Sequence, residues 1–134
     1  MSEITTLLQN YERGQRDFSG VSLSDANLSQ ADLKGADLSY SDLSNVNLSQ
    51  ANLRGVDLSY AKLNKVDLQA ADLRGAMLIG TDLREVSLKD ANLKDADYIP
   101  GTTQFPSEFD PEQAQMSSVQ SSATKLNNSD DQND

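Results

Sequence analysis

Across residues 16 to 100 a large apolar side chain returns at every fifth position, a spacing that neither an ordinary helix nor a straight strand accommodates. The series opens with Phe18, runs through fifteen leucines from Leu23 to Leu93, and closes with Tyr98. Two residues ahead of each stands a smaller side chain, Ala or Val in most units, Ser41 and Thr81 in two, with Arg16 the one large exception. The unit is A-(D/N)-L-x-x, and it occurs seventeen times. On an α-helix five residues turn through about 500°, so the leucines would spiral around the cylinder without forming a stripe. On a straight strand a step of five sends alternate leucines to opposite faces. Both apolar residues of every unit reach a common axis only when each unit is a short extended piece followed by a corner.

The number of corners per turn follows from a longer period. Residues 30 to 49 read QADLKGADLSYSDLSNVNLS, and residues 50 to 69 read QANLRGVDLSYAKLNKVDLQ. A shift of twenty aligns Gln30 with Gln50, Gly35 with Gly55, Tyr40 with Tyr60 and Val46 with Val66, partly at positions where the five-residue pattern makes no demand. Four units therefore make one coil, and levels about 4.8 Å apart give a rod about 20 Å tall.

Residues 16 to 100 resemble a pentapeptide-repeat protein, of the stand-alone kind abundant in cyanobacteria. The resemblance covers about two thirds of the chain. It implies an all-β solenoid, a right-handed quadrilateral β-helix of about four coils, with the central Leu or Phe and the preceding Ala or Val facing inward.

Residues 1 to 15 are expected to add an N-terminal capping helix. Ser2 suits the N-cap, Glu3 the first turn, Ile4, Leu7, Leu8 and Tyr11 form one apolar stripe, and Gly14 is a stop. A plug over the first coil, whose strand edges are otherwise open, explains this helix better than a partner-binding role. Residues 101 to 116 are expected to form a C-terminal capping segment, with a short helix opened by Pro111 and capped by Asp110. Its Phe105 and Phe109 would cover the outward apolar cluster of Met77, Ile79 and Ile99; a dimer interface at this end is the competing reading. Residues 117 to 134 are polar and read as a disordered tail.

Asp or Asn precedes most of the central leucines, from Asp17 to Asp97. Calcium-binding β-roll repeats are nine residues long and glycine-dense, with carboxylates converging on one turn. Here a five-residue spacing spreads the carboxylates over four walls. Short polar side chains that bond their own backbone at tight corners account for the preference, and no metal is expected. Stacking by twenties places Lys34, Arg54, Arg74 and Lys94 in one outer column, beside Asp32, Asn52, Asp72 and Asn92. That column is the candidate recognition stripe; a solvated face balanced by its acidic neighbours is the plainer reading. Tyr40 and Tyr60 stack at a corner, either as a minor contact point or as a cross-strand aromatic pair.

The 134 residues include no Cys, His or Trp, which excludes disulfides, thiol chemistry and zinc clusters. A filled leucine interior leaves no space for a cofactor, whose pockets usually take about 300 Å³ or more. No nucleophile with its base and no nucleotide loop is present, and the six-residue period of acyltransferase coils is absent, so no enzyme is expected. No stretch reaches the roughly 20 apolar residues of a membrane helix, and a cytoplasmic monomer is the default expectation. The family is best known for members that inhibit DNA gyrase by resembling duplex DNA. Residues 16 to 100 carry 13 acidic and 9 basic side chains, a net of −4. A 20 Å length of duplex carries about 12 negative charges. The expected function is a non-enzymatic structural or interaction scaffold with an unknown protein partner and no direct nucleic acid or membrane binding. The alternative is a DNA-mimicking inhibitor of an enzyme such as gyrase.

Overall fold

The structure, a computed structural model, describes residues 2–119. Each unit closes on itself before it meets its neighbours. The N–H of the first residue of one unit donates to the carbonyl of the third residue of the unit before, as from Ala36 to Leu33 at 2.9 Å and from Val56 to Leu53 at 3.1 Å. The fifth residue of each unit from Gly20 to Asp95, Glu85 excepted, sits in the left-handed region with φ between 57° and 74°. A four-residue turn with positive φ only at its third place is type II, and it makes the corner. The second residue locks that corner. Every Asp and Asn at this place from Asp17 to Asn92 accepts the N–H two residues on at 2.9 to 3.3 Å, as expected for a side chain that bonds its own backbone.

Corners of this kind leave the extended residues free to pair along the axis. Leu38 N–H donates to Asp57 O at 2.8 Å, Leu58 N–H to Met77 O at 2.9 Å, and Asp57 N–H to Ala36 O at 3.0 Å. Parallel bridges run Asp17, Asp37, Asp57, Met77, Asp97 in one file, each step twenty residues long. Four units to a coil make the solid a quadrilateral β-helix. Leu38, Leu58 and Leu78 stack in one buried file at 1%, 0% and 1% exposure. The polar intruders in the inner row are satisfied. Ser41 Oγ donates to Phe18 O at 3.3 Å and accepts Val21 N–H at 3.2 Å, while Thr81 and Thr103 hydroxyls both donate to Leu78 O at 2.8 Å.

Helix α1 spans Glu3–Glu12, and Ser2 Oγ accepts Thr5 N–H at 3.1 Å at its start. Leu7 is buried and Ile4, Leu8 and Tyr11 pack on the coil interior. Tyr11 Oη donates to Lys34 O at 2.7 Å, and the Arg16 guanidinium lies 3.7 Å from the Tyr11 ring centroid. Gly14, at φ 104°, turns the chain out of the helix. Among the described residues no helix is long and apolar enough to cross a membrane.

The other end differs from expectation in three respects. Strand β1, Asp97–Tyr98, pairs in parallel with β2, Ser117–Ser118, so ordered pairing runs past residue 117, where the tail was expected to begin. Ser117 N–H reaches Ala96 O and Val119 N–H reaches Tyr98 O, both at 2.7 Å, because backbone pairing in this register asks nothing of side-chain hydrophobicity. Residues 120 to 134 of the expected tail lie outside the described residues. Second, Pro111–Gln115 form successive turns in place of the expected short helix. Gln115 N–H bonds Glu112 O and Met116 N–H bonds Pro111 O, while Gln115 itself takes φ 61°; one turn of helix does not recover its nucleation cost. Third, Phe105 meets the Tyr98 ring edge-on at 5.4 Å and Phe109 stacks on Phe105 at 5.2 Å. These rings pack against the buried core, and of the outer cluster they were expected to cover, Met77 stays 36% exposed while Ile79 and Ile99 are half-buried.

Two glycines separate backbone strain from packing. Gly55 and Gly80 hold φ of 66° and 68°, but a Cβ on Gly55 would meet nothing within 4 Å, whereas one on Gly80 would fall 2.4 Å from the Tyr60 ring. Ala70 already tolerates φ 59° at the same place. Gly55→Ala is expected to cost about 1 to 2 kcal/mol in urea unfolding. Gly80→Ala should cost more, and the excess should disappear in a Tyr60→Ser background.

Candidate interaction surface

The first and third residues are consumed by packing, so any site along the walls draws on the second, fourth and fifth residues of the units. Gly35 N–H donates to Arg54 O at 2.9 Å, Gly55 N–H to Arg74 O and Gly75 N–H to Lys94 O at 3.0 Å. These rungs set Lys34, Arg54, Arg74 and Lys94 on successive levels of one wall, all four exposed. The file beside them is Asp32, Asn52, Asp72, Asn92. Arg74 grips Asp72 through Nε to Oδ1 at 2.9 Å and Nη2 to Oδ2 at 2.6 Å. That bond holds the Asp72 carboxyl below its usual range; partial burial works against it, and the Arg54 charge adds to the lowering. The basic column is therefore uneven: one guanidinium is clamped by a carboxylate, and Arg54 stands beside a neutral Asn52.

The same chemistry recurs on other walls in isolation. Arg84 bonds Asp82 at 2.9 and 2.8 Å and lowers its pKa. Hydrogen bonds from Ser19 and Ser44 lower Asp17 and Asp42 in the same way. Each of these carboxylates serves its own corner, and they do not converge. Among the described residues no group of three or more His, Cys, Asp or Glu side chains is placed to hold a metal ion.

Tyr40 and Tyr60 stack as their spacing implied, with ring centroids 5.2 Å apart and planes at 16°. They are 67% and 52% exposed. Two recesses carried no signal in the sequence. An apolar one of about 410 Å³ lies between α1 and the first coil, lined by Leu7, Phe18 and Val21 with Glu3, Thr6, Asn10 and Ser22. A polar one of about 430 Å³ is lined by Asn64, Asp82, Arg84 and Glu85. The first depends on the angle at which the helix crosses the coil, which no periodicity encodes.

Comparison with known proteins identifies the architecture. The family profile described as pentapeptide repeats matches in 8 copies, over residues 17–50, 31–69, 51–90 and 67–97. The chain belongs to the pentapeptide repeat family. The crystal structure of alr5209, a pentapeptide repeat protein from Nostoc Pcc 7120, is similar at 49% identity and TM-score 0.83, over 87% of this chain and 95% of that one. Rfr23 from the cyanobacterium Cyanothece 51142 matches at 34% identity and TM-score 0.45, over 66% of this chain and 63% of its own. HetL from Nostoc sp. strain PCC 7120, described as involved in heterocyst differentiation regulation, matches at 37% identity and TM-score 0.31, over 74% and 47%. No curated protein matches by sequence. The right-handed quadrilateral β-helix of pentapeptide repeat proteins is accordingly the fold of this chain.

Stability should depend on pH through the corner carboxylates. Asp17, Asp42, Asp72 and Asp82 all have folded pKa values below the ordinary value, so the unfolded chain binds protons more readily. Their contribution is complete above the unfolded value of about 3.9 and is lost as pH falls through the lower folded values. Thermal melts from pH 7 to pH 2 should be flat down to about pH 5 and then decline. The paired substitutions Asp72→Asn and Asp82→Asn should shallow that decline.

Proposed function

We propose that this pentapeptide repeat protein is a non-enzymatic scaffold that acts by binding a partner protein. The observation that carries this reading is the division of labour within each unit. The first and third residues fill the interior and the second locks the corner, so sequence variation is confined to side chains standing on a rigid wall. Such a surface offers contacts at about 4.8 Å intervals and has little backbone freedom left to lose on binding. A reaction centre, by contrast, gathers perturbed titratable groups into one cleft, and here the perturbed carboxylates occupy separate corners.

Within this proposal the coil comprises about four turns, with α1 and residues 101 to 119 acting as its caps. The Lys34, Arg54, Arg74 and Lys94 column is its recognition stripe, being an unbroken file of four like charges on one wall. A monomer is part of the same proposal, since a net charge of −10 sets copies of the chain against one another; a cytoplasmic placement is proposed with it.

The test is capture from the native cell extract with the tagged protein, followed by identification of a specific partner. Replacing Arg54 and Arg74 by Ala should lower recovery of that partner about tenfold while leaving the melting temperature within a few degrees, as expected for exposed side chains. Recovery unchanged by the double variant would remove the column from recognition. Inhibition of gyrase supercoiling at micromolar concentration would replace the scaffold reading with DNA mimicry.

A further inference from the structure

The corner that carries Tyr40 and Tyr60 combines features that the fold itself does not require. Both residues occupy a left-handed place at φ 61°, where a bulky side chain is unfavourable and where Gly20 and Gly80 stand in the same file. The pair is also directional. A Cβ on Gly80 would strike the Tyr60 ring, whereas one on Gly20 would meet nothing within 4 Å. Tyr60 therefore lies against Gly80, Tyr40 lies on Tyr60, and the second face of Tyr40 is open toward the level of Gly20.

The electrostatic setting of that open face is acidic. The file immediately before the corner is Asp17, Asp37, Asp57, joined by parallel bridges, and Asp42 and Lys62 stand in the file after it. Four carboxylates thus flank the rings against one amine. Asp37 is held by both the N–H and the hydroxyl of Ser39, at 3.0 and 2.6 Å. Asp57 accepts the Ser59 N–H at 2.9 Å, but Ser59 Oγ, in a residue only 6% exposed, has no hydrogen-bond partner. Asp57 thereby has one bond fewer than Asp37 and more acceptor capacity to offer. The chain already seats a guanidinium on a tyrosine once, with Arg16 over Tyr11 at 3.7 Å.

Resting on the scaffold reading above, we infer that the Tyr40–Tyr60 corner is a docking surface for an arginine-bearing segment of a partner protein. The guanidinium plane stacks on the open face of Tyr40 while its N–H groups reach the Asp17, Asp37, Asp57 file. A planar guanidinium satisfies both demands at once, stacking on the ring and donating in the plane to carboxylates, where an ammonium meets only the charge. A second copy of this chain is the poorer occupant, because each copy brings the same net charge of −10 to the contact.

The probe is the peptide acetyl-Gly-Arg-Gly-Arg-Gly-amide, titrated into the full chain at physiological salt with the tyrosine ring resonances as readout. Shifts are expected at Tyr40 and Tyr60 and not at Tyr11 or Tyr98. The Tyr40→Ser, Tyr60→Ser double variant, checked for an unchanged fold by its melting curve, should bind at least about fivefold more weakly. Removing two charges elsewhere, through Asp90→Asn and Asp95→Asn, should change affinity less than about twofold. The inference fails if the tyrosine variant binds as the parent does, if the lysine version of the peptide binds equally well, or if acetylated hexaproline binds more tightly. Ring shifts at Tyr11 or Tyr98 alone would overturn it too. Such a failure removes this corner and leaves the scaffold reading to be decided by the extract experiment.

Discussion

Everything in this molecule depends on a right-angled corner repeated every five residues. The corner is made by a left-handed residue at the fifth place, Glu85 excepted, and in twelve units an Asp or Asn at the second place also satisfies the N–H two residues on. Neither feature is set by burial. They are set by short-range backbone chemistry, and the hydrophobic rows then find themselves facing one axis. This order of causes explains why Asp or Asn recurs at thirteen of the seventeen second places. It also explains why glycine appears in only some fifth places: Asn45, Gln50 and Ala70 hold the same φ, supported by the rung above.

The repeat made the coil legible in the sequence. Period five excluded helix and flat sheet, and the shift of twenty gave the vertical neighbours that the bridges display from Asp17 to Asp97. Helix α1 was legible for a different reason, since Ser2, the apolar stripe and Gly14 form a self-contained signal. After residue 100 a capping segment was legible from Phe105 and Phe109, but the pairing of Ser117 and Ser118 was not, because it is made by backbone alone. Ser117 and Ser118 look like tail residues, yet they sit one coil above Asp97 and Tyr98 and complete the ladder. Composition is a poor guide wherever a template already supplies the hydrogen bonds. The two recesses were invisible for a related reason, as they arise from the placement of one element against another.

Of the outer surface, the sequence disclosed which side chains share a file and not how they treat one another. Lys34, Arg54, Arg74 and Lys94 read as four equal charges, but Arg74 is held by Asp72 and the others are not clamped in this way. Tyr40 and Tyr60 read as a symmetric pair, but only one of them leans on a glycine, which leaves the stack with a covered end and an open end. Such asymmetry turns a repetitive solid into a surface with addresses. It resides in the few places where consecutive coils carry different residues at equivalent positions.

The ladder also has a direction in time. Phe18 N–H needs the carbonyl of Asp37, Leu23 that of Asp42, and Tyr11 reaches its own partner only at Lys34. No rung exists until the chain has been synthesised some twenty residues beyond it. As the polypeptide leaves the ribosome, each finished level therefore becomes the mould for the next, and the opening helix cannot be seated until the first circuit has passed above it.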